Sequence, residues 1–316
     1  MAQCVSVVVP VYYNEDNIAP TWSALSAALA ELPGDLTFEV IFVDDGSGDA
    51  SYARLEALHR SEPGHVRVVK LTRNFGQVPA ILAGLAHARG DCCVVMSADL
   101  QDPPELILDM VDRWKRGQRK IVLATRTQRE DGLITRMASR TFYRLMKRFA
   151  IPQMPEGGFD FFLLDRQVID IVNQVEEKNT FIQGHVLWTG FEPDIIEYTR
   201  RRREIGSSRW TLSKKLKYFV DGFVTYSLMP MRLITLTGVA VSALSFAYAL
   251  VILILKLGWE IPLEGWTPTM IVILLLGGTQ LIMLGIIGEC IWRSYNETRK
   301  LPNFVVETRL DGDADG

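Results

Sequence analysis

Phe38-Glu39-Val40-Ile41-Phe42-Val43-Asp44-Asp45-Gly46-Ser47 is the stretch that decides the fold of this 316-residue chain. An apolar run over 38–43 leads into two carboxylates and an Asp-Gly turn pair, the pattern of a buried strand that stops at a sheet edge. Short apolar runs at 5–9, 67–71 and 92–96, with one more near 121–124, repeat the design. Helical spacing fills 16–32, 50–60, 78–88 and 104–116 between them. Strand–helix alternation predicts an α/β fold with a mostly parallel sheet flanked by helices, and ligands bind beyond the carboxyl ends of such strands.

Two adjacent carboxylates at a strand end repel each other and lose solvation. Asp44 and Asp45 either accept hydrogen bonds from a base and ribose or form an Asx-type turn. A second acidic segment, Met96-Ser97-Ala98-Asp99-Leu100-Gln101-Asp102, follows the strand at 92–96. Asp99 could hold a divalent ion bridging a diphosphate, because Mg2+ needs only one or two carboxylates beside phosphates and water. Asp102 reads as the N-cap of the helix over 104–116, with Pro103 in its first turn and Glu105 at its third position.

A net charge of −3 excludes the broad basic surface of a nucleic-acid protein. Cys4, Cys92, Cys93 and Cys290 form no C-x-x-C pair, which points away from zinc and disulfides and towards thiols in a reducing compartment. His59, His65, His87 and His185 make no ligand cluster and belong to no Ser-His-Asp set. No secretory signal opens the sequence, so the N-terminal part is expected in the cytosol.

The second half is built differently. Residues 120–197 mix patterns, with a helix around 133–149, and 200–203 are four arginines, a charge run facing solvent or headgroups. Over 211–225, Leu212, Leu216, Phe219, Val220 and Phe223 share one helical face, which suits an interfacial helix or a helix packed on the domain. Residues 233–255 and 266–288 are two uncharged runs of 23. At about 1.5 Å per residue each spans roughly 34 Å, more than a ~30 Å hydrocarbon core. Lys214, Lys215, Lys217 and Arg232 before them, and Arg293, Arg299 and Lys300 after, place both ends in the cytosol by the positive-inside rule. Gly278, Gly285 and Gly288 fall near one face, where the first span could approach. The expected plan is a cytosolic catalytic domain (1–210), an interfacial helix (211–230), a transmembrane hairpin (231–292) and a cytosolic, partly disordered tail (293–316).

Six segments in order resemble glycosyltransferase family 2, and within it the polyprenyl-phosphate branch of bactoprenol glucosyltransferases and dolichol-phosphate mannose synthases. They are Pro10–Glu15, Val43–Ser47, Arg73-Asn74-Phe75-Gly76, Ala98–Glu105, Gly158-Phe159-Asp160 and Arg203–Trp210. The two-span tail matches the bactoprenol subgroup. The resemblance implies a GT-A-type fold in which Pro10, Tyr12 or Tyr13, Glu15, Asp44 and Asp45 line a nucleoside pocket. It puts Asp99 and Gln101 at a metal (Mg2+ or Mn2+) and the diphosphate, and Arg126, Arg203 and Arg209 on phosphates, with Ser208 in the same substrate-binding motif. Asp160 matches the position of the catalytic base. The implied reaction is inverting transfer of a hexose, glucose from UDP-glucose, to undecaprenyl phosphate at the inner membrane. UDP-N-acetylhexosamine, UDP-4-amino-arabinose or GDP-mannose are alternative donors, and an inactive nucleotide-sugar-binding scaffold is the rival of another class. A homotetramer and a partner flippase are implied as well.

Three departures stand out. The first motif carries an extra tyrosine, leaving two rings as candidates for the base. Ser97 occupies the first position of the family's D-x-D, which leaves the ion to lean on diphosphate and water. Gln183-Gly184-His185-Val186-Leu187-Trp188 lacks the arginine of the Q-x-x-R-W motif of processive relatives, which argues against polymer synthesis.

Overall fold

The computed structural model describes residues 3–117, 119–126, 143–144, 146–148, 151–155, 157–175, 181–201, part of 235–254, 265–299 and 301–311. Most of the expected helix at 133–149, Arg203, Ser208, Arg209 and the helix over 211–230 lie outside them. The elements run β1 (Gln3–Val11), α1 (Ile18–Leu29), β2 (Leu36–Asp44), α2 (Ser51–Ser61), β3 (Val66–Leu71), α3 (Gln77–His87), β4 (Cys92–Val95), α4 (Leu106–Lys115) and β5 (Ile121–Arg126). They continue as β6 (Phe161–Asp165), α5 (Arg166–Asn173), α6 (Ile182–Trp188), β7 (Pro193–Tyr198), α7 (Trp266–Thr298) and β8 (Val306–Leu310).

The strands form one sheet in the order β7-β5-β6-β4-β1-β2-β3-β8. β1 pairs in parallel with both β2 and β4, so the order reverses at β1 and opens a crevice at its carboxyl end. β6 is antiparallel to β4 and β5, which brings its start, and Asp160 just before it, to the same edge as their ends. Alternate residues feed two cores. Val5, Val7, Val9, Val40, Phe42 and Val66 bury on one face, Val8, Ile41, Val43 and Val69 on the other, hence the largely apolar runs of the sequence. α4 covers the first face with Ile107, Met110, Val111 and Trp114, and each such burial contributes roughly 1.5–3 kcal/mol. Burial pushes the Cys92 and Cys93 thiols upward, leaving them unreactive core residues.

Val306–Leu310, which the sequence pattern does not mark as a strand, is an antiparallel edge strand on β3. It is fixed by Arg67, which is buried and donates to Glu39 Oε2 (2.8 Å) and Asp311 Oδ1 (2.8 Å) towards the edge opposite the crevice. Asp102 is not the cap of α4: Glu105 holds that place, and the chain enters the helix through turns from Pro103 and Pro104. Among the described residues nothing lies within 4 Å of where a Cβ at Gly278, Gly285 or Gly288 would stand, whereas a Cβ at Gly238 would meet Met283 Cε at 3.2 Å.

Two compact units result, Met1–Tyr226 with Leu301–Gly316, and Ser227–Lys300. In the second, the described positions between 235 and 254 are helical and α7 is continuous over 33 residues. Only part of these side chains is described. Among the described residues no helix is long and apolar enough to cross a membrane.

Candidate active site

The ends of β1 and β2 build the first half of the crevice. Asp45 N–H donates to Val11 O (2.9 Å), Tyr13 N–H to Ser47 Oγ (3.0 Å) and Asn14 N–H to Ser51 Oγ (3.0 Å), so the loops after the two strands are stitched together. Asp45 Oδ1 and Oδ2 accept from the Phe75 and Gly76 amides at 2.7 and 2.9 Å. Gly46, at φ 66°, lies so close to the Arg73 backbone that a Cβ would come within 2.5 Å of its carbonyl carbon. Burial, offset by those two amides, lifts the Asp45 pKa to about 6. Glu15 Oε2 accepts from Ala50 N–H (2.9 Å) at the start of α2. These carboxylates are spent on backbone.

Asp44 is different. It is fully buried, and Oδ1 takes the Ser47 amide (3.3 Å), but Oδ2 has no hydrogen-bond partner. Burial raises its pKa, offset by the Ser47 hydrogen bond. An orphan buried oxygen costs about 1–3 kcal/mol, so it is a place for a ligand N–H. Pro10 lies one residue before the end of β1, paired with Val43. Tyr12 and Tyr13 pack edge to face, 4.8 Å between centroids, and Tyr13 turns its hydroxyl against Gly48. Tyr13 and Leu100 are the described non-glycine residues with positive φ (52° and 51°), one in each acidic loop region. Bulky side chains in that conformation store about 1–3 kcal/mol apiece, strain that collects at functional loops.

The second half lies beyond β4, β5 and β7. Ser97 Oγ is 2.6 Å from Asp99 Oδ1 and 3.1 Å from Asp102 Oδ2, and shares its one proton between them. Gln101 N–H donates to Asp99 Oδ1 (3.2 Å). Asp102, with no exposed surface, also accepts from the Tyr198 hydroxyl and lies 3.4 Å from Arg200 Nε. Arg126, at the end of β5, donates through Nη2 to Asp160 Oδ2 (2.6 Å), and its Nε is 3.5 Å from the Tyr198 oxygen. Burial opposes the Arg126 charge, but Asp160 foremost, then Tyr198 and Asp102, hold its pKa above the ordinary value. Gln183 Nε2 donates to Phe159 O and reaches Asp160 Oδ1 at 3.4 Å.

The structure therefore brings together Asp99, Gln101, Arg126 and Asp160 on one side and Pro10, Tyr12, Tyr13, Glu15, Asp44 and Asp45 on the other. Tyr198 carries no local signal, because its partners Asp102 and Arg126 lie 96 and 72 residues away. Asp102, Gln183 and Arg200 lie in segments the sequence marks, but as a helix cap, a departure from a processive motif and a charge run. Among the described residues no group of three or more His, Cys, Asp or Glu could hold a metal. One carboxylate, a hydroxyl and an amide fit an ion shared with a diphosphate and water, and do not fit an all-protein cage.

The model of glycosyl transferase family 2 matches residues 6–172, over half of the chain. The chain belongs to glycosyltransferase family 2. Its mixed sheet flanked by helices is GT-A-like, and this glycosyltransferase has near full-length relatives. The uncharacterized glycosyltransferase YkcC of Bacillus subtilis (strain 168) is 38% identical over 303 residues, covering 96% of this chain and 93% of that protein. The bactoprenol glucosyl transferase of Shigella phage SfX is 35% identical over 306 residues, covering 96% and 99%. Among solved structures, the mannosyltransferase PcManGT from Pyrobaculum calidifontis in complex with GDP-Man and Mn2+ aligns over 71% of this chain and 64% of that one. The identity is 16% and the TM-score 0.49.

Proposed function

We propose that this glycosyltransferase moves a hexose, glucose from UDP-glucose, onto undecaprenyl phosphate with inversion, at the cytosolic face of the inner membrane. The carrying observation is that Asp99, just beyond β4, and Asp160, just before the neighbouring β6, are joined by one hydrogen-bonded set of side chains beside the crevice at β1. Names of near full-length relatives, bactoprenol glucosyl transferases, support the lipid acceptor. Exposed Leu281, Ile282, Leu284, Ile291 and Trp292 on α7 support a membrane anchor. The basic flanks Lys214, Lys215, Lys217 and Arg232, and Arg293, Arg299 and Lys300, support a cytosolic catalytic unit and cytosolic termini. The family resemblance supports a homotetramer, whose product a flippase carries outward.

In this reading Asp44 Oδ2 accepts the base N–H, and Tyr12 and Tyr13 offer rings to the base. Asp99 with Gln101 holds the diphosphate end, together with Mg2+ or Mn2+. A bound ion would neutralise charge on the departing nucleoside diphosphate. A phosphate oxygen of the acceptor bonds to the anomeric carbon as the bond to the diphosphate breaks on the opposite side. That phosphate has its second pKa near ~6, so it arrives largely as the dianion. Asp160 consequently orients Arg126, whose guanidinium meets the acceptor phosphate, rather than abstracting a proton.

The test is transfer of label from a panel of UDP- and GDP-sugars to undecaprenyl phosphate, with and without Mg2+ or Mn2+, using the full chain in detergent. Metal-dependent formation of a glucosyl lipid is the expected result. A different sugar on the lipid replaces the donor alone, and no labelled lipid from any donor overturns the reading.

A further inference from the structure

Tyr198 ends β7, has only 6% of its surface exposed, and is named by no motif of the sequence. Its phenol oxygen meets the two sides of the transfer half. It donates to Asp102 Oδ1, and Arg126 Nε approaches the same oxygen at 3.5 Å. Asp102 in turn takes a share of the Ser97 proton, and Ser97 touches Asp99. Arg126 grips Asp160 at 2.6 Å. The run Asp99–Ser97–Asp102–Tyr198–Arg126–Asp160 is continuous, and its middle is shut off from solvent. Burial, then the charge of Asp102, keeps the phenol protonated and so a donor.

We propose that Tyr198, acting through buried Asp102 on one side and Arg126 on the other, is a positioning residue that sets the diphosphate-side carboxylate Asp99 and the acceptor-side carboxylate Asp160 relative to each other. The inference rests on the sugar-transfer reading above for its consequence, though not for its geometry. In-line displacement needs the leaving diphosphate and the attacking phosphate on opposite sides of one carbon, and small misplacement is costly in rate. A strut between the residues that hold the two ends meets this need. It also explains why an aspartate in a helix-capping sequence is instead entirely buried. The tyrosine ring carries its hydroxyl across the gap from β7 to Asp102. Phenylalanine keeps the ring and removes the link.

The experiment compares the full-length parent with Tyr198→Phe. Loss of one hydrogen bond to a charged partner should lower kcat roughly tenfold to a hundredfold, while the KM for the nucleotide sugar stays within about twofold. Tyr198→Phe and Asp160→Asn should be non-additive in kcat, because both loosen Arg126. A merely structural tyrosine would instead give additive effects or raise the donor KM together with a fall in kcat, and either outcome overturns the inference. So does parental kcat in Tyr198→Phe. A parent that transfers no sugar overturns the functional reading and leaves the strut to a measurement without turnover. In thermal unfolding Tyr198→Phe and Ser97→Ala, which share Asp102, should lose less together than the sum of their separate losses. Additive losses there refute the strut.

Discussion

The donor half and the transfer half of the crevice both gather carboxylates, yet they spend them differently. At the ends of β1 and β2, Asp45 and Glu15 are consumed by backbone amides, which lock three loops into one surface and leave a single orphan atom, Asp44 Oδ2. Beyond β4 and β5, Asp99, Asp102 and Asp160 are held by Ser97, Tyr198 and Arg126 side chains. Backbone partners make a rigid mould that suits recognition of an invariant nucleotide. Side-chain partners can trade one charged neighbour for another, and that suits a place where phosphate arrives and diphosphate leaves.

Asp99→Ala should show the largest effect on rate. Removing the carboxylate on the diphosphate side is expected to lower turnover by about 10²–10³-fold, the scale of a lost electrostatic stabiliser. Initial rates at saturating donor measure it, and a fall below tenfold would erase the distinction between the halves. Asp160→Asn comes next. A lost general base costs about 10²–10⁴-fold, and with the proposed acceptor, a phosphate already ionised, the loss should stay under about 10². Complete loss with substrate binding intact would make Asp160 a true base.

The same contrast governs what could be read in the sequence. The strands at 5–9, 38–43, 67–71, 92–96 and 121–124 were legible because both faces of the sheet are buried and their runs are largely apolar, with Ser6, Glu39, Arg67 and Lys70 as the exceptions. Asp44, Asp99, Arg126 and Asp160 were placed at the edge because strand ends and family motifs mark them. Pro193–Tyr198 and Val306–Leu310 were not, since edge strands alternate only weakly, with three of the positions 306–310 half-buried and two exposed. Asp102 was misread because a carboxylate before Pro-Pro-Glu looks like a cap. One of its actual partners, Tyr198, is 96 residues away, and no local pattern reports such a contact.

A smaller effect sharpens the donor half. A carboxyl whose folded pKa is raised helps folding while protonated. The contribution of Asp45 is therefore full below the unfolded value near ~3.9 and is lost as pH rises through about 6. The lost amount is on the order of 2–3 kcal/mol, from the size of that shift. Thermal midpoints of the full chain between pH 4 and 8 should fall across this window, and Asp45→Asn should flatten the slope at the expense of one amide acceptor. A parent and variant with the same pH dependence would mean that Asp45 does not titrate as a buried group.

The division of labour along the edge is tested most directly by steady-state kinetics of Asp44→Asn with varied nucleotide sugar. An amide NH2 at the orphan position should raise the donor KM about tenfold, the scale of one mismatched buried hydrogen bond, while kcat stays within about twofold. A fall in kcat with an unchanged KM would contradict it, placing Asp44 with the chemistry and not with the nucleoside.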